Sequence, residues 1–300
     1  MANLLYPAST GHYVDDKYSP LLEPNLWYNN IFQPGVTFTD KYQLGAAGQI
    51  FVHKPGTGTV SPTVPGADFS DSVVQDSLIT ISLNKQFNRS RKIYGATLAS
   101  VAYSAAASEM ETAIREVQQG WTKAAYQALA ADTSVQVSDT TDTAATASTV
   151  YDLIVADRQK LVEEGASPNT LIVSPSVYGL LLKSDEFQRT GQIGDQVVAD
   201  GRVGRIAGLT VVEYQGVDSD IADDTTISGG DSSDITWATA DEMEWVMYDS
   251  DAFSIVTSVE ATRLVQEPTR FVGTLAQVQI VSGFKVTNPD RVLIKYTDAA

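Results

Sequence analysis

The chain has 300 residues, 43% hydrophobic and 19% charged, enough to bury a sizeable core as one large domain or two to three ordinary ones. Thirty-seven acidic and twenty basic residues give a formal charge of −17, which removes any overall attraction to nucleic acid or anionic membrane. Cysteine is absent, excluding a disulfide framework, a thiol nucleophile and Cys-ligated metal, and no apolar run nears the roughly 20 residues of a membrane span. The N-terminus lacks the basic start and apolar run of a signal peptide, so the chain reads as cytosolic.

The charge is unevenly spread. Residues 1–95 carry seven acids and seven bases, and the whole excess of acid lies in 96–300. Residues 1–46 read as an arm: Pro7, Pro20, Pro24 and Pro34 recur without sustained periodicity and favour extended backbone. Trp27, Tyr28, Ile31 and Phe32 are too apolar for a solvated tail, so the arm lies on a surface, its own or a neighbour's. Residues 49–94 read as a two-stranded projection, with strands at 49–53 and 78–87. The linker between them, rich in Pro, Gly, Ser and Thr, is far longer than a hairpin turn, and a lone ribbon is marginally stable, so a partner surface is expected.

Residues 97–131 predict a long helix. Met110, Ile114, Val117, Trp121, Ala124 and Ala128 step by three and four along one stripe, and Gly120 marks a kink or close packing. A polar linker (132–148) leads into an α/β pattern. Thr149 with Asp152 suggests a capping box for a helix that Gly165 ends; 171–173 is a short buried strand. Ser174-Pro175 opens another helix and 209–214 is another strand. Residues 215–234, with six Asp and no Lys or Arg, read as a solvated loop. Beyond it the chain is β-rich: strands at 246–248, 253–256, 264–265 and 273–281, a turn at Asn288-Pro289-Asp290, and a closing strand at 291–296.

Catalytic signals are few. His12 and His53 are the only histidines and both lie outside the α/β part, so a Ser-His-Asp arrangement would need one of them to reach into it. Carboxylate pairs carry no information in a chain this acidic, and no lysine is marked as desolvated for Schiff-base chemistry. Gly201-Arg202-Val203-Gly204-Arg205-Ile206-Ala207-Gly208 lacks the GxGxxG and GK[ST] spacings and precedes a strand; its glycines are read as permitting positive-φ turns. An EF-hand starting at Asp218 fails, because Asp223 stands where the glycine belongs and Gly229 where the closing Glu belongs. Weak Ca²⁺ or Mg²⁺ binding between several copies is the alternative to plain solvation for that loop. No catalytic residue, cofactor or metal site is assigned. Lys85, Arg89, Arg91 and Lys92 form the one basic cluster. It is a weak nucleic-acid footprint, and docking onto an acidic neighbour suits it better, at about 0–1 kcal/mol per exposed pair.

Residues 171–216 are more specific. Leu171-Ile172-Val173-Ser174-Pro175-Ser176-Val177-Tyr178, then Asp195-Gln196-Val197-Val198, then Val203-Gly204-Arg205-Ile206-Ala207-Gly208-Leu209-Thr210-Val211-Val212 resembles the axial-domain core of tailed-bacteriophage major capsid proteins with the HK97-like fold. Gly283-Phe284-Lys285-Val286-Thr287-Asn288-Pro289-Asp290 is similar to their closing segment. The resemblance implies an α+β fold with an N-terminal arm (1–46), an extended β-hairpin E-loop (47–95) and a peripheral domain with a spine helix (96–144). An axial domain (145–252) and returning peripheral strands (253–300) would complete it. It implies pentamers and hexamers closing into an icosahedral shell around double-stranded DNA, in the virion and assembled in the host cytoplasm. Partners would be further copies of the chain, a portal and, in some systems, a decoration protein. Nothing helical precedes the arm, so a separate scaffolding protein is expected rather than a removed leading segment. Lys54, Lys85 and Asn288 carry no motif marking a covalent cross-link. Trp27, Tyr28, Ile31, Phe32, Phe51 and Phe69, with the basic cluster, are the expected inter-subunit contacts; packing within the chain is the alternative for the apolar ones. An encapsulin-like nanocompartment shell enclosing a cargo enzyme is the rival reading, and a soluble α/β enzyme a remoter one.

Overall fold

A computed structural model describes residues 31–42, 49–54, 77–94, 105–130, 135–141, 143–184, 204–217, 219–220, 226–227, 235–236, 242–266 and 272–297. Strands β1 (Gln49–Lys54) and β2 (Ser77–Ser82) pair antiparallel as a ribbon, with Phe51 opposite Thr80 and His53 opposite Leu78. The 78–87 alternation is not one strand. The chain leaves the ribbon at Leu83-Asn84 and enters β3 (Lys85–Tyr94), which pairs with a different partner, so the alternation spans two sheets.

Helix α1 (Ala105–Ala130) follows. Apart from Val117, the expected stripe is only partly buried; the deepest residues are Ala113, Ala125, Tyr126, Leu129 and Ala130. The helix packs in two places, which a single stripe does not capture. Its first half forms a small cluster in which Ala113 and Val117 meet Val278, with Met110, Ile114 and Phe87 against them. Its second half enters the main core. Gly120 lies within the continuous helix, and a Cβ there would make only an ordinary contact, 3.6 Å from the Phe87 ring, so close packing does not require glycine at this position.

Strand β4 (Gln136–Val137), helix α2 (Val150–Glu163), β5 (Thr170–Val173) and helix α3 (Pro175–Lys183) come next. Gly165 ends α2 as expected, at φ 81°, with the Gly165 and Ala166 amides donating to the Val162 and Leu161 carbonyls. The capping box does not form, since the Thr149 hydroxyl is engaged by the Thr146 amide and makes no cap bond. Ser174 caps α3, accepting from the Val177 amide at 3.4 Å. Strands β6 (Arg205–Ile206) and β7 (Leu209–Glu213) meet through Ala207 and Gly208, both at positive φ (47° and 86°), a two-residue turn suited to a hairpin.

Strands β8 (Thr226–Ile227) and β9 (Ile235–Thr236) form a minimal pair, and β10 (Glu242–Tyr248) returns to the body. The fragments expected at 253–256 and 264–265 are one strand, β11 (Phe253–Gln266), bulged between Thr257 and Val259. Its polar middle hides the strand in the sequence; pairing with β12 (Gly273–Val286) makes it continuous. A single 3₁₀ turn (Pro289–Arg291) precedes β13 (Val292–Thr297).

Two sheets organise the body, a six-stranded one in the order β4-β13-β10-β5-β7-β6 and a three-stranded one in the order β11-β12-β3. The first is covered on both faces, so β5 is buried throughout. Trp245, Met247, Leu171, Val173 and Leu293 face α2 and α3. Ile172, Val246, Tyr248 and Ile294 face the main core with the end of α1. Met243 joins that core although it stands two residues before Trp245, because a register shift between them turns the strand over.

Candidate assembly surface

The ribbon has two unlike faces. Ile81, Ile79, Val52 and Ile50 alternate onto one that is partly covered, with Ile81 fully buried at the foot. Phe51, His53, Leu78 and Thr80 alternate onto the other, where Phe51 is 57% and Leu78 54% exposed. Alternation with bulky apolar groups on the outer side is what a sheet shows when that side is to be covered. Sequence reading singled out Phe51 and not Leu78; the signal for Leu78 is the antiparallel register, which no single strand carries.

At the foot, β12 crosses the exit of the ribbon closely. A Cβ at Gly283 would stand 2.6 Å from the Ser82 carbonyl oxygen, so glycine is required where the two backbones meet. The aim of the ribbon is therefore set by a backbone-to-backbone contact.

Arg89 and Arg91 of β3 are engaged with carboxylates of α1. Arg91 ion-pairs with Glu109 at 2.5 Å and with Glu116, and Arg89 reaches Glu116 at 2.6 Å. Burial alone would raise the Glu116 carboxyl, but bonds from Arg91 and Arg89 hold it below its ordinary value. Arg89 and Arg91, two residues apart on one face of β3, converge on Glu116, and Arg91 also reaches Glu109 two turns earlier on α1. The pairing is half-visible in sequence once β3 and α1 are known to touch. Lys85 and Lys92 remain on the surface of β3. Beside these pairs an open groove of about 850 Å³ runs between β3 and α1, lined among others by Gln86, Phe87, Glu116, Gly120 and Lys123.

The arm divides. Ile31 and Phe32 are buried in this chain's own main core, the Phe32 ring 5.6 Å from Phe253 and 6.2 Å edge-on from Trp121. Thr39 donates its amide to the Phe253 carbonyl, Tyr248 donates its hydroxyl to the Thr37 carbonyl at 2.8 Å, and Lys41 pairs with Asp251. Burial pushes the Tyr248 hydroxyl well above its ordinary range, so it stays protonated and available to donate. Trp27, Tyr28, Phe69 and His12 lie outside the described residues.

The 215–234 segment is not simply solvated. Asp220 is buried, accepts from the Tyr214 hydroxyl at 2.5 Å and pairs with Lys123 at 3.0 Å; Val217 is buried beside it. Its other aspartates lie outside the described residues. Among the described residues no three His, Asp or Glu side chains gather as metal ligands, and no helix is long and apolar enough to cross a membrane.

No curated protein sequence matches this one. Its fold is shared with solved structures at low sequence identity. A chain of Mycobacterium phage Che8 superposes with a TM-score of 0.71 at 15% identity, over 96% of this chain and 98% of that one. The capsid of cyanophage P-SCSP1u gives 0.69 at 12%, over 95% and 93%, and the capsid of a native GTA particle 0.62 at 14%, over 96% of each. The sequence model of the phage capsid protein family matches residues 88–293, from within β3 into β13. The chain therefore belongs to the phage capsid protein family and has the α+β, HK97-like fold of tailed-phage major capsid proteins.

Proposed function

We propose that the protein works by self-association, closing through pentamers and hexamers into an icosahedral shell that encloses the double-stranded DNA of a tailed bacteriophage. The observation carrying this reading is the outward apolar face of the ribbon, with Phe51 and Leu78 uncovered on a projection too slight to be stable alone. Residues 1–46 act as the arm, 47–95 as the E-loop, 96–144 and 253–300 as the peripheral domain and 145–252 as the axial domain. Phe51 and Leu78 meet a neighbouring copy, as do Trp27, Tyr28 and Phe69. Ile31 and Phe32 act within the subunit. Lys85 and Lys92, exposed on β3, help set the register of an acidic neighbour once the subunits meet, and Arg89 and Arg91 brace β3 against α1. Repeated heterologous contacts of this kind close into rings, and obligate ones bury on the order of 2,000 Å² or more. No catalytic step is needed. Assembly takes place in the host cytoplasm with a separate scaffolding protein and a portal.

Electron microscopy of the expressed protein, alone and with scaffold, tests the reading. Closed shells are expected; small discrete particles under every condition sink it. The family match favours a genome-enclosing shell over a cargo-enclosing compartment. A portal gene adjacent to this one is the expected context, and an adjacent cargo enzyme would reverse the preference.

A further inference from the structure

Residues 135–146 join α1 to α2, and the backbone holds them at few points: β4 makes two parallel residue pairs with β13, and the Ser138 amide donates to the Ile294 carbonyl. Val135 is buried in the main core, with Val137 packed against it, and Ala145 packs on the second cluster; charged side chains add further holds. Lys160 of α2 donates to the Val137 carbonyl at 2.8 Å and pairs with Asp139. Lys295 of β13, fully buried, donates to the Thr140 and Thr143 carbonyls. Glu244 of β10 accepts from the Ala145 amide at 2.7 Å.

Asp157 of α2, 3% exposed, stands at the centre. Its Oδ1 accepts from the Ser138 hydroxyl at 2.6 Å and its Oδ2 from the Trp245 indole at 3.0 Å. The Ser138 hydroxyl also lies 3.0 Å from that of Thr140, and either can donate. We propose that Asp157, Ser138 and Thr140 form a reversible proton latch that holds the joint between α1 and α2 in both protonation states and holds it more tightly in acid.

With the carboxylate ionised, Ser138 and Trp245 both donate to it. When Oδ1 takes a proton from solvent it donates to Ser138, whose own hydrogen turns to Thr140 Oγ1; the Trp245 bond is unchanged. No hydrogen bond within the latch is lost. What changes is the cost of a buried charge. Burial pushes the carboxyl up from 3.8 to about 6, opposed by the bonds from Ser138 and Trp245 and by the charges of Lys295 and Lys160. Asp139 and Glu244 face the same cluster and offset part of that positive charge. A carboxyl raised on folding takes up its proton in the native state first. Its contribution to stability therefore grows as pH falls through about 6 and is complete below about 4, on the order of a hundredfold in the folding equilibrium. Glu116, held below its ordinary value, changes in the opposite sense.

Asp157→Asn fixes the acid form, since a carboxamide can donate to Ser138 and accept from Trp245. Hydrogen exchange of residues 136–146 in the full chain, corrected for intrinsic rates, is compared at pH 7.5 and 5. The native segment is expected to gain protection at pH 5, and Asp157→Asn to show that protection at both pH values. Carbon-13 NMR of the Asp157 carboxyl should show a midpoint near 6. Titration near 4, or equal protection of the native segment at both pH values, overturns the latch whether or not the variant folds. Lower protection of a folded Asp157→Asn at pH 7.5 does the same. None of these readouts depends on shell formation, so the latch and the capsid reading can fail separately.

Discussion

Replacing Gly283 by alanine is expected to impair assembly while leaving a folded subunit. The added methyl would stand 2.6 Å from the Ser82 carbonyl oxygen, 3.1 Å from its carbon and 3.4 Å from the Leu83 Cα. A methyl has no rotamer to escape into, and the atoms it meets are backbone. Strand β12 is held on both edges at this point, Gly283 lying opposite Val256 while Ser282 pairs with Lys85, and Phe284 packs on Trp121. The displacement therefore falls on Ser82-Leu83, where the ribbon leaves the body. Overpacking of this kind costs about 1–3 kcal/mol, a loss of a few degrees in melting temperature that a chain this size survives. A ribbon turned at its foot carries Phe51 and Leu78 away from where a neighbour must receive them. Circular dichroism and thermal melting of the subunit, with negative-stain microscopy of assembly reactions, separate the two effects. Shells at native yield with native melting would refute the argument that this contact aims the ribbon.

Three further outcomes follow from the same structure. Phe51→Ser with Leu78→Ser should change subunit stability by no more than about 0.5 kcal/mol, both side chains being exposed, yet sharply lower shell yield by light scattering. Lys295→Met should destabilise the subunit by about 3–5 kcal/mol in chemical denaturation, stranding the Thr140 and Thr143 carbonyls and leaving Glu244, whose Oε2 has no hydrogen-bond partner, without its nearby cation at 3.9 Å. Adding Glu244→Gln should recover part of that loss. Subunits of charge −17 repel one another, so assembly rates should rise as ionic strength increases from about 10 mM to 100 mM, where the Debye length falls from about 30 to 10 Å; a rate that falls with salt would make attractive charge pairs the controlling term.

Much of the fold was legible where one element carries its own signal. The helix pattern read over 97–131, described in the structure as Ala105–Ala130 with 97–104 and 131 outside the described residues, the Gly165 stop and the Ser174-Pro175 start are local signals, and the element order resembles phage capsid proteins. Less of the candidate assembly surface was legible. Phe51 was visible as an apolar residue on a projection, but its neighbour Leu78 depends on register. The basic cluster read as free to dock on a partner; half of it answers to Glu109 and Glu116 on α1 instead.

The net charge of −17 describes the chain only in part. Composition by itself determined that nucleic acid and membranes exert no general pull on this chain, that thiol chemistry is absent, and that the acid excess lies beyond residue 95. Only tertiary structure decided which charges face outward. Lys295, Asp157 and Asp220 count in the net charge like any others, yet they are buried, fastening segments beside the apolar anchors Val135 and Val217. Burial and pairing depend on which strands and helices meet across long stretches of sequence, and composition is blind to that. Local periodicity names the elements; the contacts between them decide which residues remain for a neighbour.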